Sequence, residues 1–248
     1  MSKLLWEQDF LNGHTDLSAW NIRLGNDLLD NDGNPIDPGW GNGEHQFYTG
    51  HANNLYIDEF GLNLCARRES IEKDGRPFAY TSARIDTRDH FSFCYGKLVV
   101  RAKLPVGQGL WPAIWLLPQH QAYGPWPASG EIDIMEAKGR LPRQVSGTLH
   151  YGKDWDHKVI DEFSYQLEHG TINKFRDYSL EWNDSSIRWL VDGHCFAERP
   201  IEPGVMPFDE PFYLVLNLAV GGWYDNVAVD KTALPAVMTV SGIWLYEG

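Results

Sequence analysis

The sequence predicts an all-β protein of the sandwich or jelly-roll type, and three observations lead to that prediction. Apolar and polar residues alternate with a period of two in many segments, helix-period segments of useful length are missing, and glycine- and proline-rich turns separate the alternating segments. The chain of 248 residues is 43% apolar, which is enough to bury a large core and excludes disorder as its main state. We expect one domain over residues 1–248.

The alternation predicts individual strands. Over Lys97–Leu104 every second residue is apolar, with charged residues on the other face. Asp192-Gly193 joins two further segments and is a type I′ hairpin signal. We expect long loops at 25–50, 118–130 and 152–175. The other predicted strands are Tyr178–Asn183, Ile187–Val191, His194–Ala197, Phe212–Val220 and Thr239–Tyr246.

Charge limits the partners of the chain. Lys and Arg number 21 and Asp and Glu number 34, which gives a net charge of −13. Phosphate recognition needs clustered Lys and Arg, so nucleic acid and anionic membrane are not expected as partners. No apolar run approaches the roughly 18–20 residues that a membrane span needs. The longest, Tyr213–Val220, is interrupted by Asn217 and is typical of a buried strand.

The cysteines and the amino-terminal residues add little. The three cysteines, Cys65, Cys94 and Cys195, are odd in number and form no CxxC pair, so neither a disulfide framework nor a zinc site is predicted. We expect them to be buried as small apolar residues. Met1–Glu7 has no apolar secretion-signal region. The sequence leaves open whether the protein stays inside the cell or loses a leader.

The segment Gly130–Ala137 carries the clearest chemical signal. As a regular strand it would turn Glu131 and Asp133 to one face and Glu136 into the apolar core, where an unpaired carboxylate costs several kcal/mol. A β-bulge near Ile134-Met135 removes the conflict, because one extra residue turns Glu136 onto the face of the other two carboxylates.

Carboxylates on one strand face are what glycoside hydrolysis requires. A retaining enzyme uses two carboxyl groups about 5–5.5 Å apart, one as nucleophile and one as acid/base. An acidic strand face is more often only solvated, but nearby aromatic residues favour the catalytic interpretation. Trp126 precedes the strand, and Trp111 and Trp115 share one face of another predicted strand, where indole rings can stack on sugar rings.

Gly130–Glu136 resembles the active-site signature of glycoside hydrolase family 16, in the bulged form of laminarinase-like endo-β-1,3-glucanases. The likeness extends over residues 5–247, with the matching segments in the expected order. The other segments that carry it are Gly41–Thr49, Tyr80–Ile85, Tyr95–Pro105, Gly109–Trp115, Ser146–Tyr151, Ile187–Gly193 and Leu216–Gly222.

The resemblance implies a concanavalin-like jelly roll of two curved antiparallel sheets, with an open cleft on the concave face. It implies that Glu131 is the nucleophile, Glu136 the general acid/base, and Asp133 the residue that orients the nucleophile. His150 would help to hold the acid/base side. The residues expected to contact sugar are Asn42, Arg84, Trp111, Trp115 and Trp126.

Several of these residues have structural alternatives that remain open. Trp115 could pack behind the cleft as part of the core, and Arg84 could form a salt bridge that orients a site carboxylate. His150 could be a structural histidine. Trp223, in a loop that departs from the family pattern, is either a displaced cleft residue or a surface aromatic.

The family pattern also bears on calcium. Many members bind calcium through backbone oxygens near the amino terminus and an Asp in the last strand, but Ser241 stands where that Asp is expected. Calcium prefers charged oxygen ligands, so we expect no cofactor and no metal requirement.

The sequence therefore predicts a retaining endo-glycosidase. It would cut β-1,3 bonds in laminarin-type glucans, with mixed-linkage β-1,3-1,4-glucan as a further substrate. We expect a monomer whose partner is the polysaccharide, and the resemblance implies secretion. The alternatives are a relative that acts on galactans, as agarases and carrageenases do, and a β-glucan-binding lectin, although such lectins lack the catalytic carboxylates.

Overall fold

The computed structural model describes residues 2–11, 16–29, 33–73 and 75–248. Short 3₁₀ turns lie at Gly39–Gly41, Trp155–His157 and Lys231–Ala233. The strands are β1 (Leu4–Asp9), β2 (Asn21–Arg23), β3 (Asp27–Leu29), β4 (Pro35–Pro38), β5 (Gln46–Tyr48), β6 (Leu55–Asp58), β7 (Gly61–Lys73), β8 (Arg76–Ser82), β9 (Arg84–Asp86), β10 (Ser92–Phe93), β11 (Gly96–Lys103), β12 (Leu110–Pro118), β13 (Glu131–Glu136), β14 (Gln144–Gly152), β15 (Lys158–Gln166), β16 (Arg176–Trp182), β17 (Ser186–Val191), β18 (His194–Pro200), β19 (Phe212–Val220) and β20 (Ala236–Tyr246).

The strands form two large sheets, which confirms the predicted jelly-roll sandwich. The ten-stranded back sheet has the order β18-β17-β16-β11-β20-β7-β8-β5, with β1 beside β20 and β6 beside β7. The eight-stranded front sheet has the order β15-β14-β13-β12-β19-β9-β2, with β10 beside β19, and β3 and β4 form a separate hairpin. Pairing in the described residues is antiparallel, apart from the parallel contact of β5 with β8.

The core lies between the two sheets and follows from the alternation. Leu98, Val100 and Ala102 of β11 are fully buried, whereas Arg101 between them is exposed. Aromatic residues fill the centre: the ring of Trp182 on the back sheet lies 5.5 Å from that of Phe212 on the front sheet, edge to face. β19 is buried along its whole length because it lies in the middle of the front sheet.

All six of the predicted strands are present. Phe212–Val220 has the predicted bounds, and Asp192 and Gly193 take positive φ angles of 51° and 81°, as a type I′ turn requires. The loop predicted at 152–175 is wrong over Lys158–Gln166, which forms β15. Only the second half of this edge strand alternates, with Phe163 and Tyr165 against the core, whereas the adjacent Val159 and Ile160 are both exposed and break the pattern.

The other loop predictions have mixed outcomes. The loop at 118–130 is found between β12 and β13. The loop predicted at 25–50 contains the short strands β3, β4 and β5, and its residues 30–32 lie outside the described part of the chain. All the cysteines are free, and the long apolar helix of a membrane span does not occur among the described residues.

Candidate active site

The predicted bulge is present in β13. Against β14, Asp133 pairs with Thr148 and Glu136 with Ser146, so three steps along β13 lie opposite two steps along β14. Against β12, Met135 pairs with Ile114 and Asp133 with Trp115, which makes Ile134 the extra residue. Ile134 and Met135 are both buried in the core, and Glu136 therefore shares the outer face of the front sheet with the other carboxylates.

The back sheet supports this bulge through Trp189. Its indole Nε1, fully buried on β17, donates a 2.8 Å hydrogen bond to the backbone carbonyl of Asp133, where the ladder is interrupted. The ring crosses β14 at Gly147, where a Cβ atom would lie only 2.3 Å from Trp189 Cδ1. A glycine at position 147 thus lets an indole from the other sheet reach the bulge.

Glu131 is half-buried and lies between an indole and charged neighbours. Trp126 Nε1 donates a 2.7 Å hydrogen bond to its Oε2. Burial, and next the negative charge of Asp133, raise the pKa of Glu131 to about 7. The nearby His150 acts in the opposite direction, since a protonated imidazole favours the ionised carboxylate.

Glu136 occupies the other end of the carboxylate row and is buried. Its Oε1 accepts a 2.9 Å hydrogen bond from Trp111 Nε1, and Thr148 Oγ1 lies 3.5 Å from its Oε2. Burial, followed by the charge of Asp133, raises the pKa of Glu136 well above its usual range. Crowded carboxyls do not all ionise together, so the site can hold one proton beside one negative charge.

His150 lies at the opposite end of the row from the one the resemblance implies. It pairs with Glu131 across β13 and β14, and its Nε2 is 3.1 Å from Asp133 Oδ2. The expected position on the acid/base side is therefore wrong, because the antiparallel register of β13 and β14 sets His150 opposite Glu131 and Ser146 opposite Glu136. Burial lowers the pKa of His150, but the contact with Asp133 and the negative charges of Glu131 and Glu136 together outweigh it and raise the pKa to about 9.

Cross-strand pairing brings the remaining predicted residues onto the same face. Trp115 pairs with Asp133 and is partly exposed, so it lies in the cleft and does not belong to the core. Arg84 forms no ion pair with any described carboxylate. Its guanidinium lies between two indoles, 4.2 Å from the ring centre of Trp40 and 4.8 Å from that of Trp115. Its buried Nε has no hydrogen-bond partner.

A buried carboxylate that the sequence analysis did not single out lies under this part of the face. Glu44 accepts hydrogen bonds from the side chains of Gln46 (2.6 Å), Tyr48 (2.9 Å) and Asn42 (3.0 Å). Burial raises its pKa, against the effects of these donors and of Arg84. The sequence offered one indication of Glu44, its place inside the matching segment Gly41–Thr49. The alternation of a strand does not show that three side chains donate hydrogen bonds to one carboxylate.

Two relays run from Glu44 to cleft indoles. Tyr48 accepts from Asn217 Nδ2 at 3.1 Å, and Asn217 Oδ1 accepts from Trp115 Nε1 at 2.7 Å. In the other direction, Asn42 Oδ1 accepts from Trp223 Nε1 at 3.1 Å. Both polar groups of the predicted sugar-contacting Asn42 thus take part in hydrogen bonds within the protein.

Trp223 and its neighbour complete the wall beside Glu136. Trp223 is 55% exposed and lies edge-on to Trp111, with ring centres 5.9 Å apart. Tyr224 stacks on Trp111 with ring centres 4.9 Å apart, and its hydroxyl lies 2.6 Å from Ser146 Oγ in a hydrogen bond. Trp223 therefore lies beside the carboxylate row as a cleft residue and is not an isolated surface aromatic.

One group of side chains in the described residues has the spacing of a metal site. Potential ligand atoms of Glu131, Asp133 and His150 lie within 4.8 Å of one another. Imidazole with two carboxylates suits a transition metal in principle. Each of the three already has a partner within the protein, since Glu131 accepts a hydrogen bond from Trp126 and His150 contacts Asp133.

Comparison with known proteins agrees with this geometry. The family model described as glycosyl hydrolases family 16 matches residues 34–234, which is most of the chain. The chain belongs to glycosyl hydrolase family 16. A family 16 member was expected from the motif around Glu131, and that expectation is confirmed.

Family 16 relatives match almost the whole chain. It is 41% identical to glucan endo-1,3-beta-glucosidase A1 of Niallia circulans over 98% of this chain, but spans only 38% of that protein. It is 38% identical to a beta-glucanase of Rhodothermus marinus, over 99% of this chain and 85% of the relative. The laminarinase catalytic domain of Thermotoga maritima superposes with a TM-score of 0.87 at 35% identity, covering 100% of this chain and 98% of that one.

Proposed function

We propose that this family 16 domain is a retaining endo-glycosidase that hydrolyses β-1,3-glucosidic bonds in laminarin-type glucans. The observation that carries the proposal is the bulge at Ile134, which turns Glu136 onto the face of Glu131 and Asp133. Relatives named as endo-1,3-beta-glucosidase and laminarinase support the substrate class. Relatives named endo-1,3-1,4-beta-glycanases support mixed-linkage glucan as a second substrate.

The proposed reaction has two displacement steps. The Glu131 carboxylate attacks the anomeric carbon while the Glu136 carboxyl donates its proton to the departing glycosidic oxygen, which breaks the bond to the leaving sugar. Glu136, now ionised, takes a proton from water, and the water oxygen attacks the anomeric carbon and releases Glu131. Asp133 lies between the two and holds His150, whose positive charge favours the nucleophilic form of Glu131.

The environments of the two carboxyls support this assignment of roles. Glu131 accepts an indole hydrogen bond and lies opposite a histidine with a pKa of about 9, so its anion is stabilised. Glu136 is more deeply buried, and its raised pKa keeps the proton that an acid needs.

Product release from a substrate panel tests the proposal. Wild-type protein, with Glu131→Ala as the control, is incubated with laminarin, lichenan, curdlan, carboxymethyl-cellulose and agarose. Short oligosaccharides should appear from laminarin with the wild type alone. Cutting of agarose with every glucan untouched would contradict the substrate class, and an inverted first-formed anomer in proton NMR would contradict the mechanism.

The lectin alternative has one observation in its favour, a relative named beta-1,3-glucan-binding protein that is 39% identical over 57% of this chain. The carboxylates and their donors are all present here, which favours hydrolysis. Laminarin that raises the melting temperature without being cut would support the lectin. A monomer, a secreted location and independence of calcium remain part of the proposal.

A further inference from the structure

The carboxylate strand β13 lies inside the front sheet, so the outer face continues on both sides of it. On one side are β12, β19 and β9, with the anchored arm, which we define as Trp40, Arg84, Trp115 and Asn217. On the other side are β14 and the edge strand β15. An endo-acting enzyme must hold sugar units on both sides of the bond that it cuts.

The β15 side carries an aromatic surface of which only Trp126 takes part in the proposed reaction. We define the edge arm as Trp126, Trp155, Lys158 and Ile160. Trp155 is 61% exposed, more than Trp223, and its ring centre lies 5.2 Å from that of Trp126. Because Trp126 donates its indole N–H to Glu131, the surface starts at the nucleophile and extends outward.

Register places the rest of the edge arm on the same face. Ile160 pairs directly with His150, which faces the carboxylates, and Ile160 is 45% exposed. Lys158 pairs with Gly152 on the same side of the sheet, two residues along. Its ammonium lies 3.7 Å from the ring centre of Trp155 and 5.6 Å from that of Trp126.

The turn that presents Trp155 is held in place. Asp154 Oδ1 accepts hydrogen bonds from the backbone N–H groups of Asp156 and His157, both at 3.1 Å. Gly152 enters the turn with a φ of 129°, and a Cβ there would lie 2.3 Å from the carbonyl oxygen of His157. The exposed indole of Trp155 is therefore presented to solvent by an ordered turn and not by a loosely attached loop.

From these contacts we propose that the edge arm is a sugar-binding subsite for the β-glucan chain, on the opposite side of the scissile bond from the anchored arm. Indoles bind the apolar face of a pyranose ring, and the Lys158 ammonium can donate to the hydroxyls at the ring edge. The inference rests on the proposed function, because it extends the glucan cleft of that reaction.

Replacement of Trp155 tests the subsite, with Phe60→Ala as the matched control. Phe60 is a 53% exposed aromatic that also lies near a lysine ammonium, but on the turn between β6 and β7 of the back sheet. Trp155→Ala should lower kcat/KM on laminarin roughly tenfold, chiefly through KM, because one stacking contact is lost. Trp155→Phe keeps a ring and should lie between Ala and wild type.

The position of the cut gives a second readout. Laminarihexaose labelled at its reducing end should be cut at a shifted position by Trp155→Ala, because the chain slides toward the remaining arm. An unchanged cut position with unchanged kcat/KM would overturn the subsite, as would a loss confined to kcat or a loss as large in Phe60→Ala. Self-association of the wild type that Trp155→Ala abolishes, with laminarin kinetics intact, would instead assign the surface to protein contact.

A binding assay separates the failure of this inference from failure of the proposed function. Retardation in laminarin-containing native gels is compared between Glu131→Gln and the double variant Glu131→Gln/Trp155→Ala, and it needs no turnover. Weaker retardation of the double variant supports the subsite even where wild type cuts no glucan. Equal retardation overturns the subsite and leaves the hydrolytic proposal untouched.

Discussion

The anchored arm and the edge arm flank the same carboxylates but are built differently. In the anchored arm, the indole of Trp115 is tied through Asn217 and Tyr48 to the buried Glu44. In the edge arm, Trp155 is mostly exposed, and its neighbours are another indole and a lysine. Side chains fixed before binding lose less conformational entropy when a ligand arrives. We therefore expect the anchored arm to set specificity and the edge arm to add affinity along a longer chain.

The largest effect on this comparison is expected from Glu44→Gln. A glutamine offers one acceptor oxygen and turns an amide N–H₂ toward donors, so both relays to cleft indoles are disturbed. Catalytic efficiency on laminarin should fall by about tenfold or more, mainly through KM. Asp86→Asn is the control, since Asp86 is likewise a buried carboxylate but lies on β9 and binds Arg23 and Asn21. An equal rise of KM in both variants would contradict a special role for Glu44.

A smaller effect is expected from replacing Trp189, whose hydrogen bond supports the strand between the two arms. Trp189→Phe removes the donor to the Asp133 carbonyl and should cost about 1–3 kcal/mol of unfolding free energy, because a buried acceptor loses its partner. Trp182→Phe removes a similar indole bond, to the carbonyl of Phe208. Denaturation should show comparable losses, while kcat should fall further in Trp189→Phe, since only that bond lies at the bulge. Equal kcat values would make the Trp189 bond purely structural.

The pH profile should respond to His150. Its pKa of about 9 leaves it positively charged near neutrality, and that charge lowers the pKa of Glu131. Without the charge the pKa of Glu131 rises, so more of the nucleophile is protonated at a given pH. The acidic limb of kcat/KM should therefore move to higher pH in His150→Gln. A limb that stays in place or moves to lower pH would contradict the assignment of that limb to Glu131.

The smallest effect is expected from calcium removal. Ser241 is buried and donates to the Arg101 carbonyl at 3.4 Å, so it offers no carboxylate to an ion at this position. EDTA should leave the melting temperature unchanged, and both arms should keep their laminarin affinity. A drop of many degrees that calcium reverses would contradict the prediction.

The two arms also differ in how much of each could be predicted from the sequence. The carboxylate face and its bulge were predictable, because an unpaired Glu136 in the core is costly enough to exclude a regular strand. The anchored arm was predicted in part, since Trp115 and Arg84 lie in strands whose alternation fixes their face. Of the edge arm only Trp126 was predicted, because Trp155, Lys158 and Ile160 fall in a stretch whose pattern predicts a loop.

The sequence by itself determined the fold class, the family and the row of acidic groups, because each depends on local spacing and on the cost of burying charge. Only the tertiary structure decided which groups meet across strands. It joined Glu44 to two cleft indoles, brought Trp189 from the other sheet to the bulge, and placed His150 beside Glu131. These contacts depend on register and on packing between sheets. Neither is encoded in residues near one another along the chain.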